Sequence, residues 1–152
     1  MTFEKKLRNM KITTKSRYAI RSIFALVLMG GDKQPIALTQ IAEHEDISRK
    51  YLEQIFMKLK KSKIVEGSRG AQGGYMLGKP AKSISLKEVI YAMDGPVKIA
   101  DCHQEETCDN FSSCGINWLW SGLKETVDNY LDNITIDDLK RQAFGGKDAD
   151  IS

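Results

Sequence analysis

The chain of 152 residues is poor in cysteine and histidine, with three of one and two of the other. An odd number of cysteines, all between positions 102 and 114, cannot build a disulfide framework. A chain this long can bury a working core without one. No apolar run reaches the roughly 18 residues that a membrane helix needs. The longest, Ile23 to Met29, has the length of a core helix. The opening Met1-Thr2-Phe3-Glu4-Lys5-Lys6 has no apolar h-region, so no secretory signal is visible and the sequence predicts a cytoplasmic protein. A redox C-x-x-C is absent, and no base is paired with a nucleophile, which argues against an enzyme. Gly67-x-x-Gly70-x-x-Gly73-Gly74 lacks the Gly-Lys-Ser/Thr ending of a phosphate loop and the acidic residue of a dinucleotide fold.

What is there is an ordinary globular balance, 41% apolar and 28% charged. The net charge of +3 is unevenly spread: residues 1–82 carry 17 Lys/Arg against 7 Asp/Glu, and residues 83–152 carry 6 against 13. A basic front half suits a polyanionic partner. Apolar spacing predicts a helix over 15–30, with Ala19, Ile23, Leu26 and Val27 on one face, ended by Gly30-Gly31. A short helix follows from Leu38 to His44. Ser48 then caps a new helix, stapled by Ile47 and Leu52. In it Leu52, Ile55, Phe56 and Leu59 repeat at i, i+3, i+4 and i+7.

Two helices joined by a short turn predict a helix-turn-helix. The second helix of such a motif reads base edges with its N-terminal residues, here Ser48, Arg49, Lys50, Tyr51, Glu53 and Gln54. Gln suits adenine, Lys and Arg suit guanine, and Glu accepts from the cytosine amino group. Lys58 and Lys61 share its polar face. Ile64 to Leu77 places two short apolar runs around a Gly-rich tip, the pattern of a β-hairpin wing. There Arg69 and Gly70 can approach a minor groove. Glu53 is the one acidic group on a face that must meet phosphates, so it costs affinity unless a cytosine amino group satisfies it.

Further on, Ser85 to Met93 forms a helix with Ser85 and Glu88 in capping-box spacing, ended by Gly95-Pro96. Residues 96–117 are a polar loop. A long helix then runs from about 117 to 133, with Trp120, Leu123, Val127, Tyr130 and Ile134 on one stripe. The sequence thus divides into a DNA-binding unit at 10–95, a cysteine loop at 96–117, a helix with a short return at 118–141, and flexible tails at 1–9 and 145–152. Met10 is an alternative start to Met1.

The loop carries Cys102, Cys108 and Cys114 with C-x5-C-x5-C spacing. Clustered thiolates hold soft metals or iron–sulfur clusters. Structural zinc usually takes pairs at closer spacing and four ligands, so an iron–sulfur cluster fits better than zinc. Three free thiols form a third possibility. The fourth ligand stays open among Asn117, His103, Asp101, Glu105, Glu106 and a partner subunit. His44, on the first helix of the motif, reads as surface.

Three segments together carry a family resemblance: Met10-Lys11-Ile12-Thr13-Thr14-Lys15-Ser16-Arg17-Tyr18-Ala19, Ile47-Ser48-Arg49-Lys50-Tyr51-Leu52-Glu53-Gln54, and Arg69-Gly70-Ala71-Gln72-Gly73-Gly74-Tyr75. With the cysteine trio and Asn133-Ile134-Thr135, the chain resembles the IscR-like winged-helix repressors of bacteria from about residue 10 to 141. That resemblance implies a mainly α, winged helix-turn-helix fold and a homodimer joined through the helix near 118–133. It implies palindromic operators in double-stranded DNA, read by Lys50, Tyr51, Glu53, Arg69 and Gly70, and no membrane partner. It implies Cys102, Cys108 and Cys114 as ligands of a cluster, with two irons and two sulfides (2Fe–2S) as the leading form. The regulated genes would serve cluster assembly, iron or redox stress. Cluster-holding members place a histidine three residues after the last cysteine, where this chain has Asn117. A nitric-oxide-sensing relative uses an aspartate of the partner's first helix, where this chain has Arg17. A relative that controls cysteine metabolism lacks the trio. The alternative is therefore a repressor of the same fold with a zinc-bound loop or a metal-free thiol switch. In the cluster reading, cluster binding orders the loop, shifts the dimer or the reading helices, and changes which sites tolerate Glu53.

Overall fold

The structure, a computed structural model, describes residues 12–70, 73–99 and 114–145. It is mainly helical with one two-stranded hairpin. Helix α1 spans Thr14–Leu28, α2 Leu38–Glu45 and α3 Arg49–Lys61. The hairpin pairs β1, Val65–Ser68, with β2, Gly74–Leu77. After a 3-10 turn at Ala81–Ser83 come α4, Leu86–Asp94, then α5, Asn117–Asp132, and α6, Ile136–Ala143.

Four of the six helix starts carry a side-chain cap. Thr13 caps α1, accepting from the Ser16 amide, and Ser48 caps α3, accepting from the Tyr51 amide. Ser85 and Glu88 form the expected capping box on α4. Thr135 and Asp138 form a second one on α6, the short return expected after the long helix. Helix α1 ends at Leu28, before position 30, because Gly30 turns at φ 91°.

One core unites these elements. Ala19, Ile23 and Leu26 of α1 lie fully buried with Leu52, Ile55, Phe56 and Leu59 of α3. Val89 of α4, Ile84 and Ile136 complete it. Truncating a buried side chain the size of Phe56 typically costs about 3–5 kcal/mol.

Two backbone bridges hold the hairpin and α6 against this core. Ile36, between α1 and α2, exchanges both of its backbone hydrogen bonds with Tyr75 of β2, each at 2.8 Å. Ser85 pairs similarly beside Thr135, with Leu86 N–H donating to Ile134 and Ile136 N–H to Ile84. The first bridge depends on Gly74, where a Cβ would sit 2.2 Å from the Ile36 carbonyl oxygen.

Helix α5 differs from the rest, since none of its residues is buried. Trp120, Leu123 and Val127 lie half-buried on its inner face, and Ile134 lies half-buried just beyond it. Tyr130 leaves the expected stripe and is 57% exposed. Leu131, one residue on, takes the inner position at 3.6 residues per turn. The tie to α4 is polar: the Tyr91 hydroxyl donates to Asp128 at 2.6 Å, and Lys124 pairs with the same carboxylate. Burial and the bond to Asp128 push the Tyr91 hydroxyl above its ordinary value. For Asp128 burial works upward, but the donors Lys124 and Tyr91 outweigh it and hold the carboxyl low.

Gly74→Ala should separate Ile36 from Tyr75 and lower stability by about 1–3 kcal/mol, the usual range for backbone strain at a crowded site. Thermal melting followed by circular dichroism measures it. An unchanged melting temperature would show that the bridge does not hold the hairpin.

Candidate DNA interface

Helix α3 and the hairpin stand side by side and enclose an open groove of about 600 Å3. Arg49, Glu53, Met57 and Lys60 line it from α3, and Ser68 and Arg69 from the hairpin. Positions 49, 53, 57 and 60 follow one another at i+4, i+4 and i+3, so one stripe of α3 faces the groove. The adjacent stripe on one side supplies buried Leu52, Ile55, Phe56 and Leu59. Phe56 packs edge-on against Tyr75 at 4.9 Å between ring centroids, which sets the spacing of helix and hairpin from below.

The predicted reading residues of α3 separate into four placements. Arg49 and Glu53 lie in the groove and are ion-paired, Arg49 Nε donating to Glu53 Oε1 at 3.1 Å. Such an exposed i,i+4 pair is worth about 0.3–0.5 kcal/mol. Lys50 and Gln54 are exposed on the next stripe of α3. Ser48 spends its hydroxyl as acceptor on the helix cap, at 3.2 Å from the Tyr51 amide. Tyr51 turns the other way, half-buried, and meets Tyr18 of α1 edge-on at 5.9 Å. It lines a second cavity, of about 690 Å3, with Thr13, Lys15, Asp94, Pro96 and Lys98.

In the hairpin Arg69 is exposed beside Gly70, which takes φ 109° with open space around it. That conformation favours glycine and lets the backbone approach a ligand. Lys60 and Met57 were absent from the sequence reading. The helical repeat from Arg49 through Glu53 could have found both. Lys58, exposed as expected on the polar face, also donates to the Met93 carbonyl of α4 at 3.3 Å. Partial burial and the neighbouring Lys15 lower its pKa.

The second cavity marks a junction. Thr13 Oγ1 donates to Asp94 at 2.7 Å, and Ser16 Oγ donates to the same carboxylate. A carboxylate here also complements the dipole at the N-terminus of α1. The end of α4 is thereby fastened to the starts of α1 and, through Lys58, to α3. The cysteine segment departs from this point.

Of the expected metal-site residues, Cys102, His103 and Cys108 lie outside the described residues. Cys114 is half-buried and free, and its carbonyl accepts from the Asn117 amide at 3.4 Å as α5 begins. The Asn117 side-chain oxygen accepts from Ser121 at 3.2 Å. His44 contacts Glu45 at 3.1 Å on the surface, as expected of a solvated residue.

A helix-turn-helix with a bridged two-stranded wing and a flanking helix at each end is a recognisable combination. Residues 12–142 match the Rrf2 family, described as an iron-dependent transcriptional regulator. This chain belongs to the Rrf2 family. The HTH-type transcriptional regulator IscR of Yersinia pseudotuberculosis is 38% identical over 130 residues, covering 86% of this chain and 79% of that one. The solved IscR of T. potens superposes with a TM-score of 0.69 at 30% identity, over 88% of both chains. CymR (YrzC), the global cysteine regulator of B. subtilis, gives 0.72 at 30% identity, over 87% of this chain and 97% of that one. As an Rrf2 member the chain is a DNA-binding transcriptional regulator with a winged helix, and its relatives are named as regulators, not enzymes. No helix among the described residues is long and apolar enough to cross a membrane.

The groove should bind phosphates through its free cations. Lys60→Ala and Arg69→Ala should each weaken duplex binding and reduce the slope of log K against log salt by about one. Lys58→Met should leave that slope unchanged. Binding isotherms across a salt series decide this. Equal slopes for all three variants would remove the groove from the interface.

Proposed function

We propose that this regulator is a homodimeric repressor of palindromic operators, with an iron–sulfur cluster on Cys102, Cys108 and Cys114 as its sensor. Its target genes serve cluster biogenesis, iron or redox balance. The observation that carries this reading is the trio of thiols on a polar segment that starts at the Asp94 junction and ends at the foot of α5. The donor set fits: three thiolates in 13 residues suit a cluster better than a closed zinc site. When bound, the cluster supplies a group whose gain, loss or oxidation registers iron and redox state.

The chain's own residues would carry the signal outward. Asp94 fastens the start of the cysteine segment to α1, and Lys58 fastens the preceding residue to the reading helix. Cys114 sits at the start of α5. The fourth ligand is open between Asn117, already hydrogen-bonded to Ser121, and His103. The DNA-binding unit spans residues 10–95, the sensor loop 96–117 and the dimerisation helix with its return 118–141. Helix α5 supports the dimer, since Trp118 at 72% and Leu119 at 44% exposure need an apolar cover.

A second reading is favoured by the likeness to CymR, named as a regulator of cysteine: the same repressor with a metal-free thiol switch. Anaerobic purification with a visible spectrum, and iron, sulfide and zinc counts, separates the two. A brown protein absorbing above about 400 nm, bleached by Cys108→Ala, is expected. Loss of colour in Asn117→Ala would make Asn117 a ligand or its support. A colourless protein with about one zinc per chain would replace the cluster by a structural metal, and a metal-free one would leave the thiol switch. For the dimer, Trp118→Glu with Leu119→Glu should shift the sedimenting species from dimer to monomer. A wild-type monomer at micromolar concentration would refute it.

A further inference from the structure

The Arg49–Glu53 pair places opposite charges side by side on the face of α3 that lines the groove. Both side chains are open to solvent, Arg49 at 65% and Glu53 at 50%. The contact uses one guanidinium donor, Nε, and one carboxylate oxygen, Oε1. It leaves the remaining Arg49 donors and Glu53 Oε2 without a hydrogen-bond partner among the described residues. Wild-type Glu53 is therefore not a bare carboxylate facing DNA. The guanidinium sets a compensating positive charge beside it and engages Oε1, which leaves Oε2 as the oxygen open to a base edge.

We propose that Arg49 is a positioning and specificity-determining residue that acts through Glu53. A bare carboxylate in a major groove repels phosphates and lone pairs at every site except where an exocyclic amino group meets it. The guanidinium reduces that repulsion and aims Oε2 at a single base edge. Cytosine or adenine opposite Glu53 is then preferred for its amino group, while guanine and thymine remain tolerated. Arg49 thus sets how strict the regulator is at one base-pair position. The free guanidinium donors also hold a neighbouring phosphate or guanine, so the pair works as one composite reader.

The inference rests on the reading of α3 as the helix that enters the major groove, and its test keeps the two apart. A duplex is first selected from a randomised pool with wild-type protein. Each position is then changed to all four bases, and affinities are measured at fixed salt for wild type, Arg49→Met, Arg49→Lys, Glu53→Gln and the Arg49→Met/Glu53→Gln double variant. Arg49→Met should widen the spread between best and worst base about tenfold at one position. Glu53→Gln should flatten that same position. In the double variant Arg49→Met should add nothing to the spread, and Arg49→Lys should restore part of the tolerance.

Equal weakening of all four bases by Arg49→Met would make Arg49 a plain phosphate contact and overturn the proposal. So would a widened spread at a position that Glu53→Gln leaves untouched. If wild type binds sequence-selectively but Glu53→Gln flattens no position, the pair reads no base and the proposal fails alone. If wild type selects no sequence at all, the reading of α3 itself fails. Circular dichroism confirms that the variants fold, since both side chains project from the surface.

Discussion

The two hydrogen bonds between Ile36 and Tyr75 fix where the wing stands relative to the reading helix. A two-stranded hairpin is marginal by itself. Here the linker between α1 and α2 adds a single-residue third strand, and Phe56 of α3 packs on Tyr75 beneath it. The bridge closes only because Gly74 has no side chain. Through this contact the distance between Arg69 and the exposed stripe of α3 becomes a property of the core.

A comparable economy operates on another side of α3. Asp94 gathers hydroxyls from Thr13 and Ser16, and Lys58 reaches the adjacent Met93 carbonyl. The last turn of α4 therefore touches both the first helix and the reading helix. Tyr51 extends that contact through Tyr18. A change in the segment after Asp94 has a short mechanical route to α3, with named atoms at each step.

Much of this was legible in the chain because it is periodic or local. The stripe of Leu52, Ile55, Phe56 and Leu59 announced α3, and all four side chains are buried. The Ser85–Glu88 box and the Ser48 cap depend on three-residue spacings and were visible for that reason. The resemblance to the cluster regulators supplied the family before any geometry was known. Long-range backbone pairing was not legible: nothing in Ile36 or Thr135 marks a partner dozens of residues away. Side-chain direction was also hidden. Lys58 and Tyr51 sit among reading residues in sequence, yet both turn toward neighbouring helices because a carbonyl and an aromatic ring lie there. Arg49 and Glu53 were read as separate contacts, although their i,i+4 spacing favours the pair.

The hairpin's regular pairing stops at the Ser68–Gly74 rung. Everything that locks the wing in place, from Gly74 to the Ile36 bridge and the Phe56 ring, lies at or below that rung. Arg69 therefore follows the last rung directly and is carried by the fixed end of β1. A substitution at Ile36, Gly74 or Tyr75 thus tilts the wing as a whole, whereas one at Arg69 changes what the wing touches and leaves the stance of the hairpin as it is.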